Sequence, residues 1–198
     1  MPEITSLQKQ VLDLFKKSGA LLEGRFILTS GLQSPHYFQC AKVLQYPEAL
    51  ETFGHDIAKA FLNDEIDIVI SPAVGGIVIG TEVGSVLKKR TIFAERENGK
   101  MTLRRGFEIQ SGDKVLVIED VVTTGGSVEE VIEVVRANGG NVIGVGFIVD
   151  RSNGKKKFDV PKQHSLMKME VITFKPEDCP AELSHLTAIK PGSRDLKK

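Results

Sequence analysis

The stretch from Val115 to Ser127, which reads VLVIEDVVTTGGS, constrains the fold of this chain more than any other feature. Its first four residues, Val115 to Ile118, are apolar and β-prone, which predicts a strand buried in a parallel sheet. The acid pair Glu119-Asp120 follows, and a turn of threonines, glycines and a serine then leads into an apolar-periodic helix. In such folds ligands bind at the carboxyl ends of the strands, so this turn is the first candidate site.

The turn from Thr123 to Ser127 has the chemistry of a site for a phosphorylated sugar. Its glycines let the backbone approach a ligand closely, and the free N–H groups at the positive end of the following helix attract phosphate. Glu119 and Asp120 would repel that phosphate, but they can accept hydrogen bonds from ribose hydroxyls or help to hold a metal that the ligand brings. An ordinary surface turn is also rich in serine, threonine and glycine, but it needs no acid pair at a buried strand end.

Two other phosphate-binding motifs are not supported. Residues Gly75 to Gly80 have the outer glycines of a P-loop, but Thr81-Glu82 stands where that motif needs a lysine followed by a hydroxyl residue. No GxGxxG follows a predicted strand with an acid about 20 residues later, which disfavours a dinucleotide-binding fold.

Composition excludes several classes of protein. The chain of 198 residues suits one domain, and its 26 basic residues balance 26 acidic ones, so bulk attraction to nucleic acid or to an acidic membrane is not expected. The N-terminus lacks the features of a signal peptide, and no apolar run approaches the roughly 20 residues of a membrane span. Cys40 and Cys179 favour two reduced cysteines in a cytoplasmic protein, with one disulfide as the alternative. The 4 histidines lack metal-ligand spacing.

Helices and strands alternate along most of the chain. Helices are predicted at residues 5–17, 46–62, 76–89 and 128–137, and strands at 66–70, 91–94, 115–118 and 142–149. Two short strands are predicted within residues 24–40, and a long, mobile, polar loop with strand-like ends at 95–106. The tail is expected to hold a strand at 170–174 and a short helix near Leu183. This order predicts an α/β fold with a mainly parallel sheet covered on both faces.

The block from Val115 to Ser127 resembles the phosphoribosyl-pyrophosphate (PRPP) signature of the type I phosphoribosyltransferases. The resemblance implies that fold, in which residues 20–45 and part of the tail form a small hood over the rim of the sheet. It also implies that PRPP contacts Glu119, Asp120, Val121, Val122, Thr123, Thr124, Gly125, Gly126 and Ser127.

Two further segments resemble the orotate phosphoribosyltransferases within that group. Phe26-Ile27-Leu28-Thr29-Ser30-Gly31 and Ser34-Pro35-His36-Tyr37-Phe38 match the family's hood segment, which implies that Tyr37 and Phe38 flank orotate, unless either belongs to the hood core. Arg151 stands where the family keeps an arginine for the orotate carboxylate, which a guanidinium can grip through two parallel hydrogen bonds. Thr123 would lie near the pyrimidine.

Two loops complete the resemblance. Ser71 to Gly76 resembles the pyrophosphate loop, which implies contacts from Ala73, Val74 and Gly75, although many members carry a lysine where Gly75 stands. The segment from Glu95 to Gly106 resembles the flexible catalytic loop that closes over the neighbouring subunit of a homodimer. It lacks the histidine of many members. Arg96 and Lys100 are its best matches, with Arg104 and Arg105 as less certain partners.

The resemblance implies transfer of the phosphoribosyl group of PRPP to orotate, with Lys100, Arg96 and Asp120 as catalytic residues. Mg²⁺ is the implied cofactor, carried by PRPP rather than held by the protein alone. The implied enzyme is a cytoplasmic homodimer of pyrimidine synthesis that binds neither nucleic acid nor membranes. Two alternatives stay open: a purine-type phosphoribosyltransferase, and a regulatory protein on this fold that binds RNA.

Overall fold

The computed structural model describes residues 5–28, 31–169 and 172–190 of the chain. The helices are α1 (Ser6–Lys17), α2 (Cys40–Leu44), α3 (Pro47–Ala60), α4 (Gly75–Leu87) and α5 (Gly126–Ala137). The strands are β1 (Leu21–Ile27), β2 (Gln33–Phe38), β3 (Ile68–Pro72), β4 (Arg90–Glu97), β5 (Lys100–Leu103), β6 (Lys114–Val122), β7 (Asn141–Asp150) and β8 (Gln163–Lys168). Short 3₁₀ turns follow at Pro176–Asp178 and Ala181–Leu183, the latter at the place where the tail was expected to be helical.

Helix α1 shows how local sequence sets an element boundary. The hydroxyl of Thr5 accepts a hydrogen bond from the Gln8 N–H at 3.2 Å, and the Gln8 side chain accepts one from the Thr5 N–H at 2.9 Å. This reciprocal capping box satisfies two N–H groups that the helix itself cannot pair. Val11 and Phe15 lie on the inner face and are fully buried, so the predicted helix at residues 5–17 is confirmed.

Six strands form the main sheet in the order β5-β4-β3-β6-β7-β8. From β4 to β8 the neighbouring strands are parallel, and β5 pairs antiparallel with β4. Parallel strands bring their carboxyl ends to one rim of the sheet. The loops that follow β3, β6 and β7 therefore lie side by side there. The predicted mainly parallel sheet is confirmed.

Apolar cores cover both faces of the sheet. On one face, helices α1 to α4 pack Phe53, Phe61 and Ile79 against the sheet. On the other face, α5 contributes Val131 and Val135 to a second cluster. The strands of the centre therefore contact apolar side chains on both sides, which explains why residues 115–118 are apolar without alternation.

A small two-stranded sheet stands apart from the main one. Strands β1 and β2 pair antiparallel, and the tail adds an isolated bridge at each strand, Phe26 with Ile189 and Gln33 with Phe174. This sheet is the expected hood, with a contribution from the tail. Thr29 and Ser30, which belong to the hood motif, lie outside the described residues.

The structure corrects three expectations. The strand-like ends of segment 95–106 extend until only Asn98-Gly99 remains between β4 and β5, so the segment is a tight hairpin rather than a long loop. Both turn residues have positive φ, 51° and 82°, which is the conformation that Asn-Gly favours in two-residue hairpins.

The other two corrections concern β6 and the tail. The acid pair Glu119-Asp120 lies within β6, which continues to Val122. Strand β8 at Gln163–Lys168 was not predicted, because its polar residues hide the pattern of a sheet edge. The strand expected at 170–174 falls partly outside the described residues, and its last residue, Phe174, forms the bridge to the hood.

Candidate functional site

The loop after β3 and the acid pair of β6 meet at the rim. A Cβ atom added to Gly75 would lie 2.7 Å from Oδ2 of Asp120, and one added to Gly76 would lie 3.0 Å from Oε1 of Glu119. A side chain at either position would crowd the acids, so the two glycines let the loop approach them closely. The loop contains a cis peptide between Ala73 and Val74.

Neither acid of the pair has a basic partner among the described residues, and Asp120 is half-buried. Glu119 is 8% exposed. Its Oε1 accepts a hydrogen bond from the Asp120 N–H at 3.0 Å, and Oδ1 of Asp120 accepts one from the Val121 N–H at 2.7 Å. Burial raises the pKa of Glu119 well above its ordinary value and also raises the pKa of Asp120. The adjacent Asp120 carboxylate is a further cause of the raised pKa of Glu119.

The turn after β6 forms a small cavity at the start of α5. A cavity of about 180 Å³ is lined by the turn from Thr123 to Ser127 together with neighbouring parts of β6 and α5. Gly125 has a φ of 81°, a left-handed conformation that suits glycine. The first N–H groups of α5 have no carbonyl partner within the helix. These features give the turn the amides, the hydroxyls and the helix end that bind a phosphate.

Arg151 follows β7, and its backbone N–H donates to the Val122 carbonyl of β6 at 2.8 Å. Its Nε and Nη2 atoms are buried and have no hydrogen-bond partner. The neighbouring Asp150 does not pair with the guanidinium. Its carboxylate accepts hydrogen bonds from the N–H and hydroxyl of Ser152 and from the Gly154 N–H instead. Burial lowers the pKa of Arg151, although nearby Tyr37 raises it. A buried guanidinium with free donors is a site prepared for an anion.

The two aromatic residues of the hood point in opposite directions, as neighbours on a strand must. Phe38 is 5% exposed, and its ring packs edge-on against Phe15 with 5.3 Å between centroids. Tyr37 is half-buried, contacts the Phe26 ring at 5.8 Å and lies near enough to Arg151 to affect its pKa. Phe38 belongs to the core, so a contact with the base remains a prediction for Tyr37 alone.

The hairpin of β4 and β5 holds most of its basic residues in ion pairs. Arg96 donates to the Gly99 carbonyl at 3.0 Å and pairs with Glu130 of α5 at 2.8 Å. Arg105 donates to Glu95 at 2.9 Å. Lys100 is exposed, and within the described part of the chain its side chain forms no hydrogen bond or ion pair. Of the predicted pair, the structure therefore leaves the Lys100 side chain free among the described residues, while Arg96 is held against α5.

Arg104, the remaining basic residue of the hairpin, pairs with Glu97 at 3.2 Å and lies 3.8 Å from Glu95. Both partners lie in β4, so Arg104 is held to the hairpin itself.

Two residues near the site were not predicted from the sequence to belong to it. The Cys40 thiol is 4% exposed, and burial raises its pKa well above the ordinary value, with Asp120 and Glu119 adding to the rise. Lys156 lies beside Gly125, where a Cβ atom would come within 2.6 Å of the lysine Cε. The run of three lysines around position 156 resembles a solvated surface, so spacing alone carried no signal.

The described residues contain no group of three or more histidine, cysteine, aspartate or glutamate side chains arranged to bind a metal. No helix in the described ranges is long and apolar enough to cross a membrane. Both cysteines are free thiols.

Comparison with known proteins places this arrangement among phosphoribosyltransferases. A family model described as the phosphoribosyl transferase domain matches residues 42–174. An orotate phosphoribosyltransferase of Chlorobium phaeobacteroides (strain DSM 266) is 55% identical over 187 residues, which cover 94% of this chain and 96% of that protein. The orotate phosphoribosyltransferase of Desulforamulus reducens is 51% identical over 189 residues, 96% of this chain and 98% of that protein.

Solved structures have the same fold. The orotate phosphoribosyltransferase of Aeropyrum pernix superposes with a TM-score of 0.67 at 26% identity, over 80% of this chain and 93% of that one. An adenine phosphoribosyltransferase of Thermoanaerobacter pseudethanolicus gives a TM-score of 0.65 at 18% identity, over 79% of this chain and 99% of that one. The shared fold does not distinguish the two bases, so the side chains of the base pocket must do so.

Proposed function

This chain belongs to the orotate phosphoribosyltransferase family, and we propose that it transfers the 5-phosphoribosyl group of PRPP to orotate. The products are orotidine 5′-monophosphate and pyrophosphate, and the reaction belongs to pyrimidine nucleotide synthesis. We propose a cytoplasmic location as well, for which the two free thiols are the support.

The unpaired guanidinium of Arg151 is the observation that carries this proposal. Its buried Nε and Nη2 donors match the two oxygens of a carboxylate, and orotate carries a carboxylate where a purine base has none. Tyr37, half-buried next to Arg151, offers an aromatic ring to the flat pyrimidine. The positive guanidinium of Arg151 and the aromatic ring of Tyr37 together favour the negatively charged orotate over adenine or hypoxanthine.

PRPP would lie along the rim between the two loops. The turn from Thr123 to Ser127 would bind the 5′-phosphate through amides and hydroxyls. Glu119 and Asp120 would accept hydrogen bonds from the ribose hydroxyls. The loop that contains Ala73, Val74 and Gly75 begins α4, and its amides would bind the diphosphate. The close approach of Gly75 to Asp120 makes these subsites continuous.

The chemical step needs no nucleophile from the enzyme. The anomeric C–O bond of PRPP breaks ahead of attack, and its electron pair leaves with pyrophosphate. A ring nitrogen of orotate then bonds to the ribosyl carbon and releases its N–H proton to the solution. The enzyme contributes by aligning both substrates and by stabilising charge as it develops. Lys100, which has no partner within its own described chain, would meet the growing negative charge on pyrophosphate.

Mg²⁺ fits this site only together with the substrate. Two oxygen-rich side chains, Glu119 and Asp120, face the pyrophosphate loop, and hard oxygen ligands suit Mg²⁺. The remaining ligands would come from the phosphates and hydroxyls of PRPP, since the described residues hold no larger cluster. Bound there, Mg²⁺ would neutralise the pyrophosphate leaving group.

We propose a homodimer in which the hairpin reaches the partner's site. Val74 is 80% exposed and Val78 is 43% exposed, one helical turn apart at the start of α4 beside the rim. Exposed valines at this position favour burial against another protein surface. The free Lys100 at the tip of the same rim is the group that a second subunit would use.

The test is consumption of orotate, followed by its ultraviolet absorbance in the presence of PRPP and Mg²⁺. Adenine, hypoxanthine and uracil run in parallel as competing bases. Loss of orotate alone, abolished by chelating Mg²⁺, supports the proposal. Consumption of another base, or PRPP binding without turnover of any base, would contradict it.

A further inference from the structure

The phosphate cavity of this chain lacks a positive side chain of its own. The described residues that line it run from Glu119 to Val128 and include no lysine, arginine or histidine. A 5′-phosphate carries nearly two negative charges at neutral pH. Amides and a helix end favour such an anion, but they do not neutralise it.

The side chain of Lys156 lies against Gly125, one of the residues that line this cavity. Its Cε lies so near Gly125 that a Cβ atom on that glycine would come within 2.6 Å of it. The Lys156 side chain is 21% exposed, and its ammonium group lies 5.2 Å from the centre of the Phe158 ring. The lysine stem therefore lies against the turn that would hold the phosphate.

The backbone around Lys156 is held in place by the turn after β7. The Lys156 N–H donates to the Ser152 hydroxyl at 2.8 Å, and that hydroxyl donates to Asp150 at 2.6 Å. On the other side, the Gln163 side chain donates to the Lys156 carbonyl at 3.0 Å. The position of the lysine is thus set by the same turn that positions Arg151.

The ammonium of Lys156 now pairs with Glu129, in the first turn of α5. The Glu129 side chain is 50% exposed, and ion pairs between exposed groups contribute little to stability. A phosphate at the start of α5 would attract the ammonium more strongly than one carboxylate does, because it carries more charge and more acceptor oxygens. Glu129 without its partner would repel the same phosphate.

We propose that Lys156 is a binding residue for the 5′-phosphate. When PRPP binds, the Lys156 ammonium group leaves Glu129 and pairs with the phosphate. The inference rests on the proposed function, because it takes the turn from Thr123 to Ser127 as the 5′-phosphate site. Lys156 lies on the same segment after β7 as Arg151. That segment would therefore contact both ends of the nucleotide product, the base through Arg151 and the 5′-phosphate through Lys156.

The test compares ribose 5-phosphate, which carries the 5′-phosphate, with pyrophosphate, which does not. Dissociation constants are measured by calorimetry for the wild type, Lys156→Met, Lys156→Arg and the control Lys157→Met. Lys157 is exposed and adjacent, so its substitution removes the same charge from the neighbouring surface. We expect Lys156→Met to weaken ribose 5-phosphate binding about tenfold, as for loss of one charged hydrogen bond.

Pyrophosphate binding should be unchanged in Lys156→Met, and Lys156→Arg should restore most of the lost affinity for ribose 5-phosphate. In steady state, Lys156→Met should raise the KM for PRPP more than it lowers kcat. Glu129→Gln should tighten ribose 5-phosphate binding, because it removes the competing carboxylate.

Equal affinities for ribose 5-phosphate in Lys156→Met and Lys157→Met would overturn the inference while leaving the enzyme assignment intact. Parallel losses for ribose 5-phosphate and pyrophosphate would also overturn it, since they indicate a general structural effect. A wild-type protein that binds neither PRPP nor ribose 5-phosphate would overturn the proposed function and this inference together.

Discussion

Replacement of Arg151 by methionine should change activity and stability in opposite directions. Methionine keeps much of the packing volume but removes the Nε and Nη2 donors, which are buried and unpaired in this structure. In the complex those donors would bind the orotate carboxylate, and truncating one partner of a buried charged pair costs about 2–5 kcal/mol. At about 1.4 kcal/mol per factor of ten, kcat/KM for orotate should fall by roughly 30-fold to a few thousandfold.

The ligand-free protein should gain stability from the same change. A buried donor without a partner costs about 1–3 kcal/mol, and methionine removes that cost. For a chain of this size each kcal/mol shifts the melting temperature by about 2–4 °C, so Arg151→Met should melt several degrees above the wild type. The lowered pKa of Arg151 has the same cause, because burial disfavours its charged form.

The assay combines steady-state kinetics with thermal unfolding. PRPP affinity serves as the internal control, since Arg151 is assigned to the base and should leave PRPP binding nearly unchanged. Arg151→Lys should recover only part of the activity, because an ammonium cannot form two parallel hydrogen bonds. A wild-type kcat/KM for orotate in Arg151→Met, or full activity in Arg151→Lys, would refute the assignment of the carboxylate to this guanidinium.

Three further outcomes are expected. Because Glu119 has a raised pKa in the folded state, the folded protein binds more protons than the unfolded chain, and the free energy of unfolding should fall as pH rises from the ordinary glutamate pKa through the raised value. Glu119→Gln should flatten that slope in denaturant titrations at several pH values, whereas an unchanged slope would contradict the burial argument. Gly75→Ala should weaken PRPP binding, measured by calorimetry, because its Cβ would lie 2.7 Å from Oδ2 of Asp120; wild-type affinity would show that the loop can shift freely. Lys100→Ala should lower kcat by about a hundredfold with little change in the KM for PRPP, as for loss of one donor that acts in the transition state, and turnover equal to that of Lys157→Ala would remove Lys100 from the mechanism.

The ligand-free site is electrostatically incomplete. Glu119 is a buried acid and Asp120 a half-buried one, and both have raised pKa values, whereas Arg151 is a half-buried base with a lowered pKa. The two kinds of group do not neutralise each other, because no ion pair joins them in the described structure. The proposed substrates supply what each lacks: hydroxyls and a metal ion for the acids, and a carboxylate for the guanidinium. Binding energy can then be used to hold the reactants in register.

The sequence was most informative where chemistry depends on neighbours along the chain. The turn from Thr123 to Ser127 and its following helix could be assigned directly, because glycines, hydroxyls and a helix start act through the local backbone. The hairpin of β4 and β5 was within reach too, since Asn98-Gly99 is a strong two-residue turn signal. Its charge pattern was interpreted as that of a loop, and that interpretation obscured the turn.

Contacts between distant segments were beyond the sequence. Nothing in its local pattern shows that Arg96 pairs with Glu130, because 34 positions separate the two residues. The same holds for Tyr37 and Phe38: alternation along β2 requires that they face opposite sides, but only the packing against Phe15 shows that Phe38 is the one in the core.

By itself, the sequence predicted the fold class, the turn that we propose binds phosphate, and the acid pair, because strand and helix periodicity and turn chemistry are properties of adjacent residues. Only the tertiary structure decided which charges are paired. It left Arg151 without a partner because Asp150 is engaged by its own turn, and it placed Lys156 over Gly125 because the segment after β7 folds back on the start of α5. The charge complementarity between the site and its proposed substrates arises only in the folded protein. It requires that the loop after β3, the turn after β6 and the segment after β7 meet at the rim.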